Sequence, residues 1–140
     1  MTLIPFDPAQ VPVADILHLL ELAVGPPNRE RALAVLESRE AARLYVALAE
    51  GRPAGIIRFC RTGPTSGEIT HLAVTPEYQR QGIGRAMVHE LAHLEALREV
   101  WAETDQAAVG FYHSLGFDIA SLGEKYPGVE RFRCTLHCAG

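Results

Sequence analysis

Cysteine and lysine are scarce in this sequence, and long uncharged apolar runs are missing. Its 140 residues include three cysteines, a single lysine (Lys125) and no C-x-x-C pair. A disulfide framework and a four-thiolate zinc site are therefore excluded, and Cys134, His137 and Cys138 match no zinc knuckle. No apolar run approaches the ~18 residues that a membrane-spanning helix needs. We expect reduced thiols, no bound metal and no membrane partner.

Positive charge is also in short supply. The 13 lysines and arginines face 17 aspartates and glutamates, which gives a net charge of −4 and disfavours a protein that clamps a nucleic-acid backbone. The first basic residue is Arg29, so the start of the chain lacks the basic region of a secretory signal. Because 48% hydrophobic residues suffice for one core, we predict a single domain over residues 1–140, located in the cytoplasm.

What the sequence does contain is an alternation of helix and strand patterns. Apolar residues at three-to-four spacing predict a first helix over Val13–Ala23, and Asn28 suits the cap of a second helix after the break at Gly25–Pro27. Further helices are predicted over Gly82–Leu97 and Gln106–Leu115. Strands are predicted over Thr2–Phe6, Leu44–Ala49, Ile56–Cys60, Glu68–Thr75, Val100–Thr104, Phe117–Leu122 and Val129–His137. This order is typical of an α/β or α+β fold with a mixed sheet.

The same patterns predict loops and a buried helix face. Turn-forming residues predict a loop over Glu50–Gly55 and another over Thr62–Gly67. In the helix that starts near Gly82, one side is expected to be buried, formed by Ile83, Met87, Leu91, Leu94 and Arg98.

The most informative stretch joins the Glu68–Thr75 strand to the following helix through Gly82 and Gly84. The first amides of a helix lack backbone partners and lie at the positive end of its dipole, so a diphosphate can dock there. The glycines would let the ligand approach the backbone, and Arg80 and Arg85 would add charge at the rim. The alternative is that the glycines only shape a tight turn.

Two familiar nucleotide-binding motifs fit this turn poorly. A Walker loop, G-x-x-x-x-G-K-[ST], is absent from the sequence. A dinucleotide-binding turn would start directly after the strand and would need a small residue where Met87 stands. Glu103 does lie about where the ribose-binding acid of that fold would be. The dinucleotide alternative is therefore disfavoured rather than eliminated.

The helical segment His89–His93 satisfies the zinc-protease motif H-E-x-x-H. One zinc-protease class would continue with glycine and histidine, but Ala96 and Glu99 stand at those positions. A helical wheel sets His89 apart from the apolar stripe. We therefore expect both histidines to face solvent and keep a zinc metalloprotease as a remote alternative.

Two motifs resemble those of the GNAT family of N-acetyltransferases. The segment His71–Gly84 is similar to the family's acyl-CoA-binding motif, [QR]-x-x-G-x-[GA], with Gln79, Gly82 and Gly84 at its defined positions. The segment Glu103–Phe117 is similar to the next motif, A-x-x-F-Y-x-x-x-G-F, through Ala108, Phe111, Tyr112, Gly116 and Phe117. The resemblance implies a mixed, mostly antiparallel sheet of six to seven strands flanked by about four helices.

The resemblance also implies the substrates and the residues that bind them. Acetyl-CoA would be the acyl donor, with no metal, and a primary amine the acceptor. The CoA diphosphate would be held by the amides of Arg80, Gln81, Gly82, Ile83, Gly84 and Arg85, and the pantetheine arm by backbone groups of Leu72, Ala73 and Val74. The resemblance also implies a cofactor contact from the side chain of Asp105. This sequence departs from the family pattern here, because many members carry asparagine at that position.

Acetyl transfer needs a base for the ammonium proton and an acid for the leaving thiolate. The resemblance makes Tyr112 the acid, and the alternative is a packing role beside Phe111. The candidates for the base are His71, Glu68 and Glu103, with a water chain as the alternative. The acceptor would bind near residues 28–31 and 125–131, and the resemblance leaves its identity open. It also allows a homodimer and, as a competing function, a CoA-binding or sensing module without transfer activity.

Overall fold

The computed structural model describes residues 1–24, 29–38 and 41–138. Within these ranges seven strands form: β1 (Thr2–Pro5), β2 (Ala42–Ala49), β3 (Arg52–Gly63), β4 (Ser66–Val74), β5 (Glu99–Asp105), β6 (Asp118–Tyr126) and β7 (Val129–His137). Four α-helices accompany them: α1 (Val13–Ala23), α2 (Arg29–Glu37), α3 (Ile83–Leu94) and α4 (Gln106–Ser114). The predicted helix stop at Gly25–Pro27 and the predicted cap at Asn28 lie outside the described residues.

The strands form one sheet in the order β1-β2-β3-β4-β5-β7-β6. Neighbouring strands are antiparallel except β4 and β5, which are parallel. This confirms the predicted mixed, mostly antiparallel sheet. The parallel pair lies in the middle of the sheet, next to the helix that the glycine turn begins.

Helices cover both faces of the sheet and create two apolar layers. Ile16 and Leu20 of α1 pack with Ile56 on one face. Met87 and Leu91 of α3 pack on the other face. The architecture is therefore a sheet between two helical layers, as a sheet with two apolar faces requires.

Helix α3 buries most of the predicted stripe but not its end. Met87 and Leu91 are fully buried, whereas Leu94 is 47% exposed and Arg98 is exposed beyond the helix. The prediction for these two residues is wrong because the buried face also includes Val88 and Ala92, so the stripe is broader and ends earlier.

Both predicted loops between strands are shorter than the sequence suggests. The β2–β3 turn consists of Glu50 and Gly51, whose φ angles are +54° and +76°, as in tight two-residue hairpins. Strand β3 therefore starts at Arg52 and continues to Gly63, and β4 resumes at Ser66. The turn-forming residues lie within the β2–β3 and β3–β4 strand pairs, next to register shifts. The predicted ends of these strands are wrong for this reason.

In the described part of the chain, each helix is too short or too polar to cross a lipid bilayer.

Candidate functional site

A gap opens between β4 and β5 in the middle of the sheet. The two strands pair only from Ser66↔Glu99 to Glu68↔Trp101. Directly afterwards the register of β4 on β3 shifts, because His71 faces Arg58 and Ile69 faces Phe59, which leaves Thr70 as an extra residue. Such a bulge bends a strand and ends its pairing. The bulge therefore directs β4 away from β5 and leaves one edge of its second half without a ladder partner.

The Thr70 hydroxyl holds the bulge in place. It donates to the carbonyl of Arg58 at 3.2 Å and accepts from Arg58 Nη1 at 3.0 Å. His71 Nδ1 lies 3.1 Å from the same oxygen. The Thr70 hydroxyl therefore connects the side chain of His71 with both the backbone and the side chain of Arg58.

Backbone groups of β4 alternate between the gap and the β3 ladder. The amide of Thr75 donates to Ala54 O at 2.8 Å, so Ala73 also points its polar groups toward β3, whereas Leu72 and Val74 point theirs toward the gap. Gln79 Nε2 donates to Val74 O at 3.0 Å. Of the three residues expected to pair with a pantetheine arm, Leu72 and Val74 thus present backbone groups at the open edge.

A row of unengaged amides lies at the start of α3. Among the described residues, the N–H groups from Arg80 to Arg85 make no backbone hydrogen bond of good geometry, and the next amide, Ala86, donates to Gly82 O at 3.0 Å. Arg80 and Gly82 have φ angles of +65° and +78°, and successive amides in such a turn form a concave anion-binding surface. A Cβ added to Gly82 would meet nothing within 4 Å. The geometry is suited to an anion that approaches the backbone.

The other residues of this turn have structural roles as well. A Cβ at Gly84 would lie 3.2 Å from Phe111 Cζ, so this glycine allows α3 to pack closely against α4. Arg85 Nη2 donates to Ser114 O at 3.0 Å and caps the end of α4. Arg80 is exposed and its guanidinium has no hydrogen-bond partner within the described ranges. Arg80 is therefore the better placed of the two predicted rim charges.

Asp105 caps the next helix of the site. Its Oδ1 accepts from the amide of Ala108 at 3.1 Å at the start of α4, the interaction that makes aspartate a favourable N-cap. This role accounts for a carboxylate here without a cofactor. The cofactor contact of Asp105 stays a prediction.

Tyr112 is buried on α4 between two aromatic rings. It is 8% exposed, and its ring lies 5.5 Å from Phe111 and 5.2 Å from Phe117, edge to face in both cases. Burial, reinforced by the nearby Cys134 thiol, raises the pKa of Tyr112 to about 12. The phenol thus stays protonated near neutral pH and can donate a hydrogen bond. The packing role and the donor role are compatible.

Two carboxylates of this face differ in their partners. Glu68 is half-buried at the last β4–β5 pair, and burial together with the charge of Glu103 raises its pKa, against a smaller effect of Arg133. Glu103 lies 2.7 Å from Lys125 Nζ and 3.5 Å from Arg131 Nε. The hydrogen bond from Lys125 is the main reason that the pKa of Glu103 is lowered. Glu68 is therefore the stronger base of the two.

The residues of the zinc-like motifs do not converge. His89 and His93 are exposed on α3, which confirms that they face solvent. Cys134 is buried, whereas His137 is exposed. In the part of the chain that the structure describes, no three His, Cys, Asp or Glu side chains form a cluster that could hold a metal ion.

Known proteins share this arrangement of strands and motifs. The sequence profile of the acetyltransferase (GNAT) domain matches residues 40–119, which is more than half of the chain. The chain belongs to the GNAT acetyltransferase family.

Similar proteins include enzymes that are named for N-acetyl transfer. The N-alpha-acetyltransferase RimI of Mycobacterium tuberculosis is 37% identical over 76 residues, which cover 52% of this chain and 48% of that protein. The ribosomal-protein-S18-alanine N-acetyltransferase of Escherichia coli has a solved structure with a TM-score of 0.70 and 25% identity, covering 99% of this chain and 96% of that one. A GNAT acetyltransferase from Elizabethkingia anophelis, solved with acetyl-CoA bound, has a TM-score of 0.69 and 21% identity, covering 98% and 97%. The sequence match to the curated M. tuberculosis protein thus spans about half of that protein's length.

Proposed function

We propose that this protein is an N-acetyltransferase that transfers the acetyl group of acetyl-CoA to a primary amine in the cytoplasm. The observation that carries the proposal is the row of unengaged amides from Arg80 to Arg85, which adjoins the gap between β4 and β5. A diphosphate at the amides and an extended arm along the open edge of β4 would bring a thioester to the bulge at Thr70. Family membership supports the same assignment.

The donor would be held mostly by backbone groups. The amides of Arg80–Arg85 would bind the CoA diphosphate at the positive end of α3. Leu72 and Val74 would pair with the pantetheine amides as a strand pairs with a sheet edge. This binding mode requires close approach to the main chain, which the empty space in front of Gly82 provides.

The chemistry would use the groups around the bulge. A protonated acceptor amine must lose a proton before it attacks the thioester carbonyl. We assign this proton to Glu68, through a water molecule, with the imidazole of His71 as a second candidate. Tyr112 would donate to the departing thiolate. Its raised pKa of about 12 favours a hydrogen bond to the thiolate over complete transfer of the phenol proton, because an ordinary thiol has a pKa of roughly 8.5.

The acceptor would approach from the sheet face that carries Glu68 and Glu103. Helix α1 contacts β3 and β4 on this face, and α2 packs against α1. The charged residues of β5 and β7 lie beside them. Because relatives are named as N-alpha- and alanine N-acetyltransferases, a peptide α-amine is the first acceptor to test, followed by polyamines and amino acids.

The test is acetyl-CoA binding by calorimetry with Gly82→Val and a matched glycine variant. Gly82 and Gly123 share a φ of +78° and open space around the Cβ position, so valine strains both backbones alike. Gly123 lies on β6, at the far edge of the sheet. We expect Gly82→Val to abolish acetyl-CoA binding and Gly123→Val to retain it. Unaltered binding by folded Gly82→Val would refute the diphosphate assignment.

Release of free thiol then separates an enzyme from a CoA-binding module. The wild-type protein is given acetyl-CoA and a panel of amines, and thiol release above the rate without amine is measured. Amine-dependent release supports the transferase. Binding of acetyl-CoA without release for any amine class would favour a sensing module.

A further inference from the structure

Lys125 is the only lysine of the chain, and its amine reaches across the sheet. Its Nζ lies 2.7 Å from Glu103 Oε1, with the lysine side chain 50% exposed. Lys125 belongs to β6 and Glu103 to β5, and β7 lies between these strands. The lysine side chain therefore extends over β7, toward the gap between β4 and β5.

The position of Glu103 places this amine at the wall of the gap. Glu103 follows Trp101, the last β5 residue that pairs with β4, and alternation along β5 puts it on the same face as Trp101 and Glu68. Glu68 is the β4 partner of Trp101, two residues before Glu103, so the two carboxylates lie on neighbouring strands and on one face of the sheet. Lys125 Nζ is consequently held beside the segment of β4 where the thioester is proposed to lie.

The other cationic groups of the protein do not place a nucleophilic amine at this wall. Arg131 Nε lies 3.5 Å from the same carboxylate oxygen, and Arg133 lies 4.2 Å above the Trp101 ring. Guanidinium groups stay protonated and are poor nucleophiles. The amine of Met1 precedes β1, at the opposite edge of the sheet. Among the described residues, Lys125 is the amine that the fold brings to the gap.

We propose that Lys125 is a self-acetylation site, modified by the acetyl-CoA bound in the same molecule. This inference rests on the proposed donor. Lys125 Nζ loses a proton and attacks the thioester carbonyl, a C–N bond forms, and the C–S bond breaks. The thiolate leaves with the bonding electron pair and is protonated to the thiol. The lysine ammonium becomes an amide, so one proton in total is released to solvent.

Acetylation would change the acceptor face. It removes the positive charge of Lys125 and the ion pair to Glu103, leaving Arg131 as the remaining ion-pair partner of that carboxylate within the described residues. The net charge of this face becomes more negative by one unit where a cationic acceptor would approach. The modification would therefore favour binding of cationic acceptors.

The experiment follows acetylation of the full chain by intact mass and peptide mapping after addition of acetyl-CoA. Lys125→Arg removes the amine and keeps the charge. The matched control is Arg98→Lys in the Lys125→Arg background, because Arg98 is exposed and lies before β5, away from Glu103. We expect one acetyl group on Lys125, added at a rate that is independent of protein concentration. The control lysine should be acetylated at least about tenfold more slowly than Lys125, since only Lys125 is held near the proposed donor site. Gly82→Val should lose the modification.

Each other result counts against the proposal. Equal rates for Lys125 and the control lysine would indicate chemical acetylation from solution, and a rate proportional to protein concentration would indicate transfer between molecules. Calorimetry on the same samples separates this inference from the proposed function. If acetyl-CoA binds and amines are acetylated while Lys125 stays unmodified, only the inference fails. If acetyl-CoA does not bind, both fail.

Discussion

The half-buried carboxylate of Glu68 and the buried carboxylate of Glu95 differ in the groups that surround them. Glu95 ends α3 with its side chain 6% exposed, and it contacts Arg43 at 3.1 Å and Arg61 at 2.9 Å as well as the hydroxyl of Tyr45. Glu68 has no hydrogen bond or ion pair in the described ranges. Burial alone would raise both pKa values, but hydrogen bonds from Tyr45 and Arg61 and the charge of Arg43 lower the pKa of Glu95.

The difference separates a residue that stabilises the fold from one that is available for chemistry. A buried charge is tolerated when its hydrogen bonds are satisfied, as those of Glu95 are. A carboxylate without partners stays basic and destabilises the fold, which is typical of functional groups. The two ends of α3 show the same difference between groups with and without partners. The amides at the start of α3 lack acceptors, whereas the carbonyl of Glu95 at its end accepts from Arg61 Nη2 at 2.9 Å.

The largest effect on turnover is expected when the proposed base, Glu68, is replaced. Glu68→Gln should lower kcat about a hundredfold, the usual contribution of a general base, with acetyl-CoA affinity unchanged in calorimetry. Glu103→Gln is the matched control, because it changes a carboxylate on the same face that is already ion-paired. It should lower kcat less, and it should move the acidic limb of the pH–rate profile to lower pH, since the charge of Glu103 raises the pKa of Glu68. A larger loss of kcat in Glu103→Gln would assign the base to Glu103 instead.

Replacing Glu95 is expected to have a smaller effect, which concerns stability rather than turnover. Glu95→Gln keeps the shape but loses the charge, and we expect a loss of about 2 kcal/mol in the free energy of unfolding, measured by urea denaturation at neutral pH. Because the pKa of Glu95 is lowered in the folded state, its contribution is present above the unfolded pKa of roughly 4.3 and is lost as the pH falls through the folded pKa.

The Glu95 prediction has a matched control in Glu77→Gln, at an exposed glutamate. The free-energy difference between Glu95→Gln and wild type should shrink below pH 4.3 or so, whereas Glu77→Gln should differ little from wild type at any pH. A difference for Glu95→Gln that stays constant into acid would show that packing, and not charge, determines its effect.

The helices and the glycine turn could be predicted from the sequence because their signals are local. Apolar spacing gave α1 at its observed bounds, and the glycine pattern placed the start of α3 within a residue. The bulge at Thr70 has a weaker signal: Ile69 and Leu72 pack on the same core, although residues three apart point to opposite faces of a regular strand. A break in the alternation of apolar residues along β4 could have revealed it.

The partners of Glu95 and Glu103 could not be predicted in the same way. Arg43 and Arg61 are far from Glu95 in sequence, and Lys125 is 22 residues from Glu103. Side chains that are distant in sequence meet only through strand order and register, and no residue pattern specifies that β7 inserts between β5 and β6. The candidate bases were therefore equivalent in the sequence and became distinct only through their neighbours in the fold.

The smallest effect is expected at Arg80, where the contrast extends to cations. Arg61 is held by Glu95, whereas Arg80 is exposed at the start of α3. Arg80→Gln should weaken acetyl-CoA binding by about two- to fivefold at low salt, as expected for one solvent-exposed charge, and the difference should fade as salt screens it. Arg98→Gln, at another exposed arginine, should leave the affinity unchanged. A loss in Arg80→Gln as severe as that in Gly82→Val would mean that the guanidinium, rather than the row of amides, holds the diphosphate.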